Sequence, residues 1–271
     1  MVTEQSVDIR GRRQRWLEAG AGWPVVLLHA FPLSADMWRP QLERIPDGWR
    51  FIAPDLLGFG PVQDLSSSSG GRITMEDYAR GVGDFLDGLE IDTAIIGGLS
   101  MGGYVTFAMF RLAPERFTGA ILADTRAEAD TAEGRAGRAK MRDVLAERGA
   151  AAIADQMVPK LLSEGARRDQ PDLVAWVRRT IEAQPAAALE GALAAMMGRP
   201  DSRADLRRMK VPTLVIVGEA DEITPPEVAT EMQQRLTRAQ LVTIPGAGHL
   251  SNLEAPDAFS RALDDFLLAH I

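Results

Sequence analysis

The sequence predicts an α/β fold class: a mostly parallel, doubly wound sheet of about eight strands, with an inserted helical cap. Three observations predict it. Short apolar, β-branched runs recur along the 271 residues, and none alternates polar with apolar side chains. That pattern suits parallel strands covered on both faces. Helical patterns lie between the runs. One stretch, 126–205, breaks the rhythm, with no strand candidate and too much length for a plain loop.

Taken in order, "SVDIRGRRQRWLEAG" reads as an antiparallel hairpin at one edge of the sheet. The strands that follow are "PVVLL" (24–28), "RFIAP" (50–54), "TAIIG" (93–97), "TGAILAD" (118–124), "PTLVIVG" (212–218) and "QLVTI" (240–244). Helices are expected at 35–45, 74–89, 100–112, 226–236 and 253–269. Thr74 followed by Asp77 resembles a capping box that opens the second of these. The Ser-rich "SSSSGG" (66–71) reads as a flexible loop. Within 126–205, Leu173, Val177 and Ile181 share one helical face, as do Leu189, Leu193 and Met197. The expected organisation is a core over 1–125, a helical cap over 126–205, and the rest of the core over 206–271.

Composition narrows the function. The formal net charge is −8, which argues against nucleic acid as the main partner. No apolar run approaches the length of a membrane span, and the opening "MVTEQSVDIRGRRQRW" has no apolar signal-peptide region. The expectation is a cytoplasmic protein with no membrane partner. There is no cysteine, so disulfides, thiolate catalysis and Cys-ligated zinc are excluded.

The stretch "IIGGLSMGGY" (95–104) carries the chemistry. It sets glycines at 97, 98, 102 and 103 around Ser100, directly after a strand. A sharp strand-to-helix turn drives the serine toward positive φ and projects its hydroxyl away from the backbone. Residues two positions to either side then crowd one another, and Gly98 and Gly102 lack the Cβ atoms that would clash. Gly103 allows the helix to approach closely. This is a G-x-S-x-G nucleophile elbow in its required strand–turn–helix context. The competing reading, a phosphate-binding turn, lacks the glycine spacing of such loops.

A serine hydroxyl needs a base, and the base needs an orienting acid. Only three histidines exist. His270 is penultimate, and His29 ends an apolar strand as a structural histidine would. His249 lies in "IPGAGHLSNLEAP", a loop between the last strand and the last helix, where sites collect in open α/β sheets. For the acid, Asp221 in "VGEADEITPP" leads. Glu219 and Glu222 are lesser neighbours. Asp124 in "LADT" is the rival, its alternative role being local turn or cap bonding. Two backbone N–H groups should face the oxyanion: that of Met101, after the serine, and that of Phe31 in "HAFPLS" (29–34), with Pro32 stiffening the loop.

With these segments in this order, the chain resembles the α/β-hydrolase superfamily. "LLHAFPLSADMW", "APDLLGFG", "TMEDYA", "GLSMGGYV", "VIVGEADEITPP" and "PGAGHLSNLEAP" are similar to its consensus. Among its members the likeness is to small bacterial carboxylesterases, 3-oxoadipate enol-lactonases and cofactor-free perhydrolases. Two departures are Ala30, where the family usually has glycine, and "GFGPVQD", which lacks a frequent serine. The resemblance implies a Ser100, Asp221, His249 triad and oxyanion donors at Phe31 and Met101. It implies a hydrolase of carboxylic esters that needs no metal or cofactor. Alkyl and Met side chains in the cap, with Trp176 the one aromatic, point to short or medium apolar acyl groups. The alternatives are a lactonase or perhydrolase using the same residues, and a ligand-binding receptor built on this fold.

Overall fold

The computed structural model describes residues 1–61 and 73–269. The Ser-rich stretch 66–71 and His270 lie outside the described residues. Eight strands form one sheet: β1 (Thr3–Ile9), β2 (Arg12–Gly20), β3 (Trp23–Leu28), β4 (Trp49–Pro54), β5 (Ala94–Leu99), β6 (Phe117–Ala123), β7 (Thr213–Gly218) and β8 (Ala239–Ile244). Their spatial order is β1-β2-β4-β3-β5-β6-β7-β8. β1 and β2 form the expected hairpin, β2 runs antiparallel to β4, and every other pairing is parallel. β5 and β7 are buried at every residue, whereas the exposed β1 forms one edge. The continuous apolar runs therefore mark strands with both faces covered, except β8, the other edge of the sheet, where only Ile244 is buried.

The helices around the sheet are α1 (Arg39–Leu42), α2 (Met75–Gly88) and α3 (Met101–Leu112). Between β6 and β7 come α4 (Ala132–Leu161), α5 (Glu164–Asp169), α6 (Pro171–Glu182), α7 (Ala186–Gly198) and α8 (Arg203–Leu206). The chain then adds α9 (Pro226–Arg235), α10 (Ser251–Glu254) and α11 (Pro256–Leu268). The capping box at Thr74 forms. Its hydroxyl accepts the Asp77 N–H at 3.2 Å, and the Asp77 carboxylate accepts the Thr74 N–H at 2.9 Å.

Two expected helices differ from the sequence reading. The stretch 35–45 is a 3₁₀ turn (Ala35–Trp38) followed by the short α1. The expected final helix is two helices, broken at Ala255 (φ −135°, ψ 63°). Pro256 excludes helical geometry from the residue before it and then supplies the first position of α11. In α4, Gly149 at φ 72° divides the segment into two helices.

The strand order reverses around β3: the chain passes from β3 to β4 on one side, then back to β5 on the other. A crevice opens at such a switch point beyond the carboxyl ends of the strands. The loop after β3 and the turn after β5 meet there. No described helix is long and apolar enough to cross a membrane.

Candidate active site

Ser100 occupies the turn between β5 and α3, with φ 55° and ψ −110°. That backbone conformation is rare for a residue with a side chain, and the surroundings enforce it. A Cβ on Gly98 would lie 2.7 Å from the Gly102 carbonyl carbon, and one on Gly102 would lie 2.2 Å from the Leu28 oxygen. A side chain at Gly98 would thus crowd Gly102 across the turn, and one at either position would strike the end of β3. Gly103 makes room for the side chain of Thr125, which a Cβ there would meet at 2.4 Å.

The loops after β7 and β8 bring the other candidates to this turn. His249 Nε2 is 2.8 Å from Ser100 Oγ. His249 Nδ1 is 2.8 Å from Asp221 Oδ2. All three side chains are buried, with Ser100 retaining 8% exposure. The Asp221 carboxylate is itself fixed. Its Oδ1 accepts the N–H groups of Ile223 (2.8 Å) and Thr224 (3.0 Å), and its Oδ2 accepts the Thr224 hydroxyl at 2.6 Å. Burial works against the charge of Asp221. The neighbouring His249 and the hydrogen bonds from His249 and Thr224 outweigh it and hold the carboxyl below its ordinary pKa. Asp221 thus stays an anion beside the imidazole.

The remaining candidates fall elsewhere. His29 is fully buried, with Nδ1 3.0 Å from the Ala30 carbonyl and Nε2 accepting the Leu56 N–H at 2.9 Å. Both ring nitrogens are used structurally, and burial lowers its pKa to about 4. Glu219 accepts the Gly246 N–H at 2.9 Å, and Glu222 is exposed. Asp124 makes no bond to His249. Nor does it cap a helix or local turn, as its sequence position suggested, because α4 is capped by Thr131. Its carboxyl reaches Gly218 and Ser251 across the sheet.

Phe31 and Met101 are both buried, and neither backbone N–H has an acceptor among the described residues. Met101 opens α3, so its N–H is one of the unpaired donors at a helix start, where partial positive charge collects. The Phe31–Pro32 peptide is cis. Asp55, at the end of β4, accepts the Ala35 N–H at 2.8 Å and so anchors the far end of the loop that carries Phe31.

Sequence reasoning missed Thr224, Thr125 and Glu254. Thr224 follows Asp221 by three residues, a spacing at which side chains and backbone commonly bond locally. Thr125 and Glu254 carry no such local signal. Thr125 donates to the Ser100 carbonyl at 2.8 Å. Glu254 accepts the N–H groups of Gly248 (3.0 Å) and Ser163 (3.1 Å), tying the His249 loop to the segment between α4 and α5.

Comparison with known proteins identifies relatives of this chain and of its fold. A thermophilic esterase from Thermogutta terrifontis, solved with malate bound, superposes with a TM-score of 0.92 at 35% identity over 99% of both chains. A pimeloyl-[acyl-carrier protein] methyl ester esterase from Nitrosomonas europaea is 30% identical, covering 90% of this chain and 96% of the relative. A 3-oxoadipate enol-lactonase from Acinetobacter baylyi is 27% identical over 89% of this chain and 86% of its own. The model of the alpha/beta hydrolase family matches residues 25–262. With the strand order, the serine turn and this match in agreement, the chain belongs to the alpha/beta hydrolase family.

Proposed function

We propose that this hydrolase cleaves carboxylic esters of short to medium apolar acyl chains through an acyl-enzyme on Ser100. The observation that carries the reading is the continuous relay from Ser100 Oγ through His249 to Asp221, each link 2.8 Å long. Neutral His249 takes the Ser100 proton at Nε2 as Oγ attacks the ester carbonyl. Asp221 accepts from Nδ1, which fixes the tautomer and stabilises the imidazolium that forms. The N–H groups of Phe31 and Met101 stabilise the tetrahedral oxyanion. His249 returns its proton to the leaving alcohol, and water releases the acyl group by the same steps.

Residues 126–205 act as a cap over this site in the proposed reading. Support comes from their seams with the His249 loop: Leu250 N–H donates to the Leu161 carbonyl at 3.1 Å, beside the Glu254 bridge to Ser163. Buried Leu161, Leu162, Leu189 and Leu193 give the segment the apolar character that suits an alkyl or acyl group. A lactone is the second reading, favoured by the similarity to an enol-lactonase, and it asks the same residues to open a cyclic ester.

Turnover of a chain-length series of soluble aryl esters, beside a lactone panel, tests the substrate class. Rates should peak at short or medium acyl groups, without activation at an oil–water interface. Ser100→Ala should fold and lose about 10³-fold or more in kcat. A serine-directed organophosphate should label Ser100 stoichiometrically. Labelling of another serine would overturn the assignment.

A further inference from the structure

The acid at the end of β6 stands at a junction of the whole site. Asp124 is fully buried and has φ 42°, a strained conformation for a residue with a side chain. Its Oδ1 accepts the N–H of Gly218 at 2.8 Å, three residues before Asp221. Its Oδ2 is hydrogen-bonded to the hydroxyl of Ser251, two residues after His249. The next side chain, Thr125, holds the carbonyl of Ser100. Two consecutive residues on one strand end therefore reach the three separate segments that carry Ser100, Asp221 and His249.

We propose that Asp124 is a positioning residue: its carboxyl group holds the Asp221 loop and the His249 loop in register with each other. The inference rests on the serine-hydrolase reading above. The two loops also bond to each other directly, through the Ala220 N–H on the Ala247 carbonyl at 2.8 Å and the Gly246 N–H on Glu219 at 2.9 Å. Asp124 adds a buried side-chain link between Gly218 and Ser251, and a relay of short hydrogen bonds requires the two loops to keep a fixed separation. Asp124 bonds to both loops and makes no hydrogen bond to the His249 ring among the described residues.

The groups around Asp124 dictate its protonation. Asp221, from the loop after β7, and Glu254, from α10, both present negative charge, and Asp124 has no ion-pair partner among the described residues. Burial raises its pKa well above the ordinary value and the charge of Asp221 raises it further, against the bonds from Ser251 and Gly218. The direction favours the neutral acid, with one acceptor and one hydroxyl. The Ser251 hydroxyl, which can donate or accept, suits either proton position. Asparagine supplies the same pair of functions.

The test compares Asp124→Asn, Asp124→Ala, Ser251→Ala, the Asp124→Ala/Ser251→Ala double variant and Ser100→Ala on one soluble aryl ester, below the lowest melting temperature. Asp124→Asn should keep kcat within about threefold and leave the pH midpoint of kcat/KM unmoved, because no charge is lost. Asp124→Ala should lose about tenfold or more in kcat with KM within about twofold, and Ser251→Ala about threefold or more. The double variant should be no slower than Asp124→Ala, since both remove one linkage. Unchanged kcat in folded Asp124→Ala, or losses that multiply, would overturn the proposal. So would an Asp124→Asn as slow as the alanine variant, which would mean that a charge is needed. If Asp124→Ala does not fold, Ser251→Ala decides, and an unchanged kcat there overturns the proposal as well. Persistent turnover in Ser100→Ala would instead overturn the serine-hydrolase reading itself.

Discussion

Nδ1 of His249 lies 2.8 Å from Oδ2 of Asp221, at the end of β7, while the carboxyl of Asp124, one strand away, bonds elsewhere. Two buried carboxyls thus share one end of the sheet with opposite electrostatics. The one against the imidazole is held as an anion, and its neighbour is pushed toward the neutral form. Like charges so placed cannot both ionise cheaply, and the residue with the better donors keeps the charge.

Replacing Asp221 by asparagine tests this division. The N–H groups of Ile223 and Thr224 will continue to bind the amide oxygen. The amide NH₂ then faces Nδ1 and makes that nitrogen an acceptor, which leaves the proton on Nε2, where it cannot receive another from Ser100. The expected result is a kcat lower by about 10³–10⁴ with little change in KM. Steady-state kinetics, with a melting curve to verify folding, checks it.

His29 predicts how stability depends on pH. Its pKa is about 4 in the folded chain, below the ordinary histidine value of 6.5, because burial disfavours the charged ring. The unfolded chain therefore binds more protons between those limits. The contribution is fully present above pH 6.5, and is lost progressively as the pH falls toward 4, amounting to about 3 kcal/mol. His29→Gln, which offers a donor and an acceptor without titrating, should flatten that part of the profile. Urea midpoints of both proteins across this window measure the difference.

A third prediction concerns the two ends of the helical segment. Arg199, after α7, pairs with Asp130, before α4, at 2.6 Å, and its guanidinium lies 4.1 Å over the ring of Tyr104. Both charged side chains are buried. Asp130→Ala strands the Arg199 charge and should destabilise by about 3 kcal/mol. The double variant Asp130→Ala/Arg199→Met removes the stranded charge and should recover part of that loss. Chemical denaturation of the two variants tests the ordering.

The sequence by itself determined the strands, the serine turn and the identity of the candidate site. Buried parallel strands must be apolar on both faces, and a backbone turned to positive φ beside a neighbouring strand must carry glycines, so both requirements leave a direct imprint on residue type. With three histidines in the chain, the loop context of His249 was also legible. The sequence put Asp221 ahead of Asp124 as the partner of the imidazole; what only the tertiary structure decided was the contact itself and what the other carboxyl reaches. Asp124 and Asp221 both end strands, and no local pattern tells a side chain which neighbouring loop it will reach. The same holds for Thr125 with Ser100, 25 residues away, and for Glu254 with Ser163, 91 residues away in the chain. Hydrogen bonds of that separation are set by strand order and register, which the packed sheet fixes only as a whole.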